Sequence, residues 1–408
     1  MKILNFGSCN IDSVYKVKHI VQNGETLGVT SINQFPGGKG LNQSIAMARA
    51  GVKVYHAGAV GKEDTKLIPL MQQAGIDVSN IKKVNERTGQ AIIQLDENGC
   101  NAILVYSGAN AAVTREHIDE VLSHFEKDDI LLIQNEISNT LYLVDKAHEI
   151  GMRIILNPSP FTEELRKIDL NKLYGIILNE VEAAQWVKSQ KAYGFISFAS
   201  ENFPKLKVIL TLGESGSIYL ENQKIYRQFA YRLNAVDTTA AGDTFTGYFV
   251  AGLYKGEDIK MVMKYASAAA AIAVSKEGAA TSIPKFSEVE ERVDSLSPNV
   301  NENNLEQKEL VKTYILCNLI GIKLKDISKL LGYTEVHTSR WIKKNFGMTF
   351  SDFLKDTRCE MAAELLKNSR LPIGEIILRV GYQNESFFRS AFMKKYQVSP
   401  SEYRKQEK

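Results

Sequence analysis

The chain has 408 residues, 44% of them hydrophobic, and a net charge of +3; it exceeds one usual domain, so two or three cores are expected. No apolar run is long enough to span a bilayer, and "MKILNFGSCNID" is no signal peptide, so membrane and secreted classes are set aside and a cytoplasmic protein is expected. Cys9, Cys100, Cys317 and Cys359 stand singly, without the CxxC spacing of a disulfide frame or zinc site.

From Met1 to about Ser287, apolar β-like runs alternate with helical patterns. The runs are "KILNFG", "VKVYHAGAV", "DILLIQNE", "MRIILNP", "YGIILNE" and "KVILTLG"; "LNQSIAMARAG" and "LIPLMQQAGI" have helical periodicity. Strands separated by helices predict an α/β domain with a mostly parallel sheet. "ETLGVTSINQFPGG" and "GQAIIQLDENGCNAILVY" read instead as hairpin material, the latter turning at "DENG", which predicts a small β flap. "SLSPNVNENNLEQKE" (295–309) is polar and Asn-rich and reads as a linker. Beyond it the pattern is helical. "DISKLLGYTEVHTSRWIKKNFGMT" is echoed by "EIILRVGYQNESFFRSAFMKKYQVS", Gly332 and Gly381 lying 49 residues apart with Arg340 and Arg389 each eight further on. A duplicated helical unit follows. Leu310–Lys408 carries 18 Lys and Arg against 10 Asp and Glu, or +8, which leaves −5 for the remainder. That basic quarter suits either an anionic partner or a solvated surface.

Two stretches carry chemistry. In "NAVDTTAAGDTFTGYF" (234–249), small residues run into a helix at Asp243. Such residues let backbone N–H groups approach a ligand, and a helix N-terminus favours negative charge; plain capping by the carboxylate is the bland alternative. In "FPGGKGLNQS" (35–44), glycines surround Lys39 before another helix. The segment is no Walker A loop and could be a simple turn.

Together with "GSCNID", "LLIQNE", "DENGCNAILVYSGAN", "NEVE" and "TLGESG", these segments resemble the ribokinase-like (PfkB) family of sugar kinases, in family order across residues 1–287. The resemblance implies sugar contacts from Asn10, Asp12, Gly38, Lys39, Asn42 and Glu136, with Asp243 as the base for the attacking hydroxyl. It implies nucleotide contacts from Asn179, Glu182, Thr211, Gly213, Gly216 and Ser267, the last standing where many members carry Asn. The N–H groups of Ala240, Ala241 and Gly242 would form an anion hole. ATP and Mg²⁺ are implied, Glu182 holding the magnesium through water. K⁺ is implied beside Asp237, Thr239, Ala273, Lys276, Gly278 and Ser282, mainly through backbone carbonyls. D-ribose is the implied sugar and a homodimer through the flap the implied assembly. A domain that only senses sugar, or a kinase for another furanose or a nucleoside, are the rivals.

"LKDISKLLGYTEVHTSRWIKKNF" has the helix, Gly turn and second helix of a helix-turn-helix, a grammar that a generic helical hairpin shares. With its second copy, the region from about 308 to 405 resembles the AraC-type transcriptional regulators, departing from them at Phe350 and Gln397. Double-stranded DNA is the implied partner. Recognition helices would start near Glu335 and Glu385, with DNA contacts from Thr334, His337, Thr338, Arg340, Asn384, Glu385, Ser386 and Arg389. Lys343, Lys344, Lys394 and Lys395 would touch phosphates, while Trp341, Phe387 and Phe388 would pack between helices. The expected division is a kinase domain at 1–290, a linker at 291–307 and a helix-turn-helix domain at 308–408.

Overall fold

The computed structural model describes residues 1–97, 100–188, 193–222, 224–299, 304–368 and 371–406. The chain begins with β1 (Ile3–Phe6), β2 (Asn10–Lys16), β3 (Ser31–Gly37), α1 (Lys39–Arg49), β4 (Tyr55–Gly61), α2 (Leu67–Gln73) and β5 (Asp77–Val84). It continues through β6 (Gly89–Leu95), β7 (Asn101–Tyr106), α3 (Arg115–Leu122), β8 (Ile130–Ile133), α4 (Thr140–Ile150), β9 (Arg153–Leu156) and β10 (Gly175–Asn179). Then come α5 (Glu180–Trp186), α6 (Tyr193–Asn202), β11 (Lys207–Thr211), β12 (Ser217–Glu221), β13 (Lys224–Gln228), α7 (Ala241–Lys255), α8 (Ile259–Val274) and α9 (Phe286–Arg292).

Nine strands form one sheet in the order β13-β12-β11-β10-β9-β8-β1-β4-β5. From β11 to β5 each neighbouring pair is parallel. The apolar runs are its centre: every residue of β1 and β8 is buried, as expected for parallel strands covered on both faces. Helices α1 and α7 meet closely because Gly247 lacks a side chain. A Cβ there would lie 2.4 Å from Ala46 Cβ and 2.8 Å from the Gln43 carbonyl oxygen. The flap is a second sheet, β3-β2-β6-β7, with β2 antiparallel to β3 and β6 antiparallel to β7. Asp96 and Cys100 close the turn with reciprocal bonds of 3.0 and 2.8 Å; Asn98 and Gly99 of "DENG" lie outside the described residues.

The expected linker is partly structured. Tyr231 and Pro298 form an antiparallel bridge, Arg232 N–H donates to the Ser297 carbonyl at 2.9 Å and Asn299 N–H to that of Ala230 at 2.6 Å. Backbone groups left open at 230–232 find partners there. The next helix, α10 (Asn304–Cys317), begins inside the same polar stretch.

Two compact units result. One comprises Met1–Ala192, Lys205–Tyr219 and Gln228–Val300; the other comprises Tyr193–Pro204, Leu220–Arg227 and Asn301–Lys408. Within the second, α6 packs on α10, with Phe195, Ile196 and Ala199 of α6 and Leu310, Val311 and Ile315 of α10 all buried. It continues with α11 (Leu324–Leu331), α12 (Glu335–Phe346), α13 (Phe350–Asn368), α14 (Ile373–Arg379), α15 (Glu385–Tyr396) and α16 (Pro400–Gln406). Ile376, Ile377, Val380, Phe388 and Phe392 share a core with Cys359, Ala362 and Leu366 of α13. Gly332 and Gly381 take φ of 71° and 84° in the two interhelical turns, the left-handed region that glycine enters without strain. Gln397 ends α15 with φ 61°, where α12 ends on Gly347.

Candidate active site and nucleic-acid interface

Strands β8, β9, β10 and β11 end side by side, and their carboxyl ends deliver Gln134, Asn157, Asn179 and Thr211 to one edge of the sheet. Ligands of open α/β sheets collect at that edge.

Asn10 and Asp12, both buried, lie on β2. Asn110 Nδ2 fixes Asn10 by donating to its Oδ1 at 2.7 Å. A Cβ on Gly37 would stand 2.0 Å from Asp12 Oδ2, so glycine is what lets β3 pass the carboxylate. Gly38, with φ 92°, caps α1 and turns Lys39 into its first position. Glu136 accepts the Lys39 backbone N–H at 3.1 Å and the Ser8 hydroxyl. Burial foremost, then Glu136 and Asp243, pushes the Asp12 carboxyl up to about 7. Burial likewise raises Glu136 and Glu182. For Lys39, burial works to lower the pKa, but Asp243, Glu136, Glu182 and Asp12 outweigh it and the amine is raised. Four carboxylates around one lysine leave the site with excess negative charge, a setting suited to a cation.

Asp243 lies in the first turn of α7 and is buried against α1. Asn42 Nδ2 donates to its Oδ2 and Gln43 Nε2 to its Oδ1, each at 2.9 Å. Beside it opens a cavity of about 120 Å³ whose lining includes Lys39, Asn157, Glu182, Thr239, Gly242 and Asp243. A larger cavity of about 640 Å³ shares Asn179, Thr211 and Gly242 with it and continues past Gly213, Gly216, Ala241 and Ser267. Asn179 and Glu182 hold each other as a capping box, Asn179 Oδ1 accepting Glu182 N–H at 2.9 Å and Glu182 Oε2 accepting Asn179 N–H at 3.0 Å. Ala240 is the N-cap of α7. The first N–H groups of a helix have no intrahelical acceptor, but Ala241 N–H already donates to the Thr238 carbonyl at 3.2 Å. At Gly242 a Cβ would meet nothing within 4 Å; its backbone faces open space in both cavities.

The proposed monovalent-cation segments are tied together by Asp237. Its Oδ1 accepts Thr239 N–H at 2.9 Å and its Oδ2 accepts Gly278 N–H at 3.1 Å. The Ala273 carbonyl takes Lys276 N–H at 3.0 Å, the Lys276 amine pairs with Glu288 at 2.8 Å, and the Ser282 hydroxyl donates to the Ala279 carbonyl at 2.9 Å. Arg49 of α1 braces the end of this turn through the carbonyls of Ala280 and Ile283. Among the described residues no cluster of three or more His, Cys, Asp or Glu side chains could hold a metal by itself. Asp237 brings the Thr239 and Gly278 segments together, and buried Glu182 suits a metal shared with a ligand's own phosphates.

In the helical unit, Thr334 and Asn384 cap α12 and α15, their side-chain oxygens accepting N–H groups of His337 and of Ser386 and Phe387. His337, Arg340, Glu385, Ser386 and Arg389 are exposed, as are Lys343, Lys344 and Lys394. His337 stacks on Tyr333 at 4.2 Å between centroids, and Arg389 pairs with Glu385 at 2.6 Å. Three expectations are corrected. Thr338 is fully buried with its hydroxyl on the Thr334 carbonyl at 2.9 Å, so it packs the helix and cannot reach DNA. Phe387, expected inside with Trp341 and Phe388, is 73% exposed. Lys395 is held by Asp356 at 2.6 Å and Glu360 at 2.8 Å instead of standing free for phosphate. For Thr338 and Phe387 the cause is a one-residue slip in the repeat. Helices α12 and α15 start 50 residues apart, at Glu335 and Glu385, while the turn glycines lie 49 apart. Buried Thr338 and Ile342 therefore match buried Phe388 and Phe392. Arg340 and Arg389 fall one position, about 100° of helix, out of step.

The sequence reading missed Gln43, Gln134 and Asn157, which reach Asp243 directly or through one amide. The available signal was the Gln directly after Asn42, and the polar residues directly after two apolar strands.

Comparison with known proteins agrees with this geometry. Residues 1–286 match the description pfkB family carbohydrate kinase, and residues 327–406 match a helix-turn-helix domain. The chain is 34% identical over 311 residues to the ribokinase of Staphylococcus aureus, covering 71% of this chain and 98% of that protein. It is 34% identical over 290 residues to the ribokinase of Haemophilus influenzae, covering 68% of this chain and 94% of that one. The crystal structure of Cryptococcus neoformans ribokinase in complex with ADP superposes with a TM-score of 0.65 at 34% identity, over 71% of this chain and 99% of that one.

Proposed function

Since the chain belongs to the pfkB family of carbohydrate kinases, we propose that it transfers the γ-phosphoryl group of ATP to D-ribose, giving ADP and D-ribose 5-phosphate. Its helical region binds double-stranded DNA sequence-specifically and couples sugar chemistry to transcription. The kinase site lies within 1–290 and the DNA-binding helices within 308–408. The protein works in the cytoplasm as a homodimer, which the exposed Ile32, Ile103 and Val105 of the flap support.

The observation that carries the kinase reading is Asp243, buried between two amide donors in the smaller cavity, directly after Gly242, which lines both cavities. The sugar lies against Asn10, Asp12, Gly38, Lys39, Asn42 and Glu136. Its primary hydroxyl gives its proton to Asp243 as its oxygen bonds to the γ-phosphorus, and the bond to the β-phosphate oxygen breaks. Gly242 N–H and the dipole of α7 receive the developing charge. Glu182 would hold Mg²⁺, which neutralises nucleotide phosphate charge, and the Asp237–Gly278 region would hold K⁺. Retention of a positioned base speaks against a domain that only senses sugar.

A kinase assay over a panel of sugars and nucleosides, with and without K⁺, tests the reading: ribose should be the best acceptor. Asp243→Asn should keep its melting temperature and sugar affinity while kcat falls by about 10²–10⁴-fold. A variant turning over near the wild-type rate would show that Asp243 is not the base.

A further inference from the structure

The active-site carboxylate is gripped by amides whose own orientation is fixed. Gln43 Nε2 uses one N–H for Asp243 Oδ1 and the other for Asn157 Oδ1, each at 2.9 Å. Gln43 Oε1 accepts from Gln134 Nε2 at 2.6 Å, and Gln134 Nε2 also donates to Asn5 Oδ1 at 3.0 Å. Asn5 in turn donates to the Gly40 carbonyl at 2.7 Å and Ser44 Oγ at 2.8 Å, and Asn157 Nδ2 to the Ile177 carbonyl at 2.9 Å. All these side chains are buried. Reversing the Gln43 amide would set its oxygen against two acceptors and its nitrogen against a donor, so the network admits one orientation. Room for it is made by Gly7, where a Cβ would lie 2.2 Å from Gln134 Oε1.

We propose that Gln43, locked by Gln134 and Asn157, is a positioning residue for phosphoryl transfer. It presents an N–H to Asp243 Oδ1 that orients the carboxylate for the acceptor hydroxyl. Each oxygen of Asp243 accepts one amide N–H, from Gln43 at Oδ1 and from Asn42 at Oδ2, and keeps a second lone pair. The proton from the acceptor must enter through a lone pair these bonds leave open. The proposal rests on the kinase reading above.

The charged groups facing Asp243 are Lys39 of α1, Asp12 of β2, Glu136 after β8 and Glu182 of α5. Asp12 contacts the sugar in this reading, so the readout is kcat at saturating ribose, which reports the bound complex, separately from kcat/KM. Gln43→Met keeps the volume and removes the donor; Gln43→Glu keeps the shape and sets a second carboxyl against the first. Both should lower kcat roughly 10- to 100-fold, hold KM for ribose within about threefold and move the acid limb of kcat upward by about one pH unit. Gln134→Met, which removes one of the three contacts that orient the Gln43 amide, should shift the limb the same way by less. A lowered melting temperature with an unmoved acid limb in both Gln43 variants would reduce Gln43 to a packing residue and overturn the proposal. Wild-type protein inactive on every acceptor would overturn the kinase reading, and this proposal with it.

Discussion

In the proposed reaction, Gly242 separates folding from catalysis in a single position. Its Cβ would enter open space, and in a first helical turn alanine is preferred over glycine by up to about 1 kcal/mol. Gly242→Ala should therefore melt no lower than wild type, yet its methyl group would occupy the place of the transferring phosphate. Alanine keeps the N–H, but displacing the phosphate from it should lower kcat by about 10²-fold, as when an anion-hole contact is lost, read by steady-state assay. Asp12 shows the opposite trade. Its carboxyl rises from 3.8 to about 7 in the folded protein, so the folded state keeps a proton that the unfolded chain releases. Stability is thus lost as pH climbs through that window and stays lost above it. Asp12→Asn carries no such penalty. Its melting temperature should exceed the wild-type value most at pH 8 and progressively less toward pH 4, while ribose binding weakens by about 1–3 kcal/mol. Calorimetry across pH, with titration of the sugar, reads both.

Helix faces decide what the second unit can touch. Phe387→Ala should change stability by no more than about 0.5 kcal/mol, whereas Phe388→Ala should cost about 3–5 kcal/mol; denaturant melts distinguish the two. On DNA, Arg389→Ala should relax preference at particular base pairs and Lys394→Ala weaken all sequences alike, measured by mobility shift at fixed salt. That Phe387 faces outward was not legible in the sequence. Neighbouring aromatics read alike until the turn before α15 proves one residue longer than its counterpart. The parallel strands were legible, because buried strands are written as unbroken apolar runs such as "ILLI". Asp243, Asn179 and Glu182 could be singled out from local motifs, but the capping box that joins Asn179 to Glu182 was not read from them. Gln134 and Asn157 were not, since each acquires meaning only where separate strand ends converge on α1 and α7. Structure at 297–299 was hidden for a related reason: a polar stretch reads as linker unless its distant backbone partner, here 230–232, is known.

In the whole molecule, the two units do not follow one another along the chain. The backbone passes from one to the other between residues 192 and 193, 204 and 205, 219 and 220, 227 and 228, and 300 and 301, five times in all. A protease cutting within 300–303 severs one of those five passages. Nicked protein is thus expected to elute as one species under native conditions and to separate into two polypeptides only in denaturant, which size exclusion before and after urea will show. The same feature bears on how such a fusion can be lost. A stop codon near position 300 would strip α6 of α10 and leave Phe195, Ile196 and Ala199 uncovered, so truncation yields a kinase with a sticky wound. Four of the five covalent stitches lie inside the enzyme's own reading frame, which makes its helix-turn-helix unit difficult to discard by simple deletion.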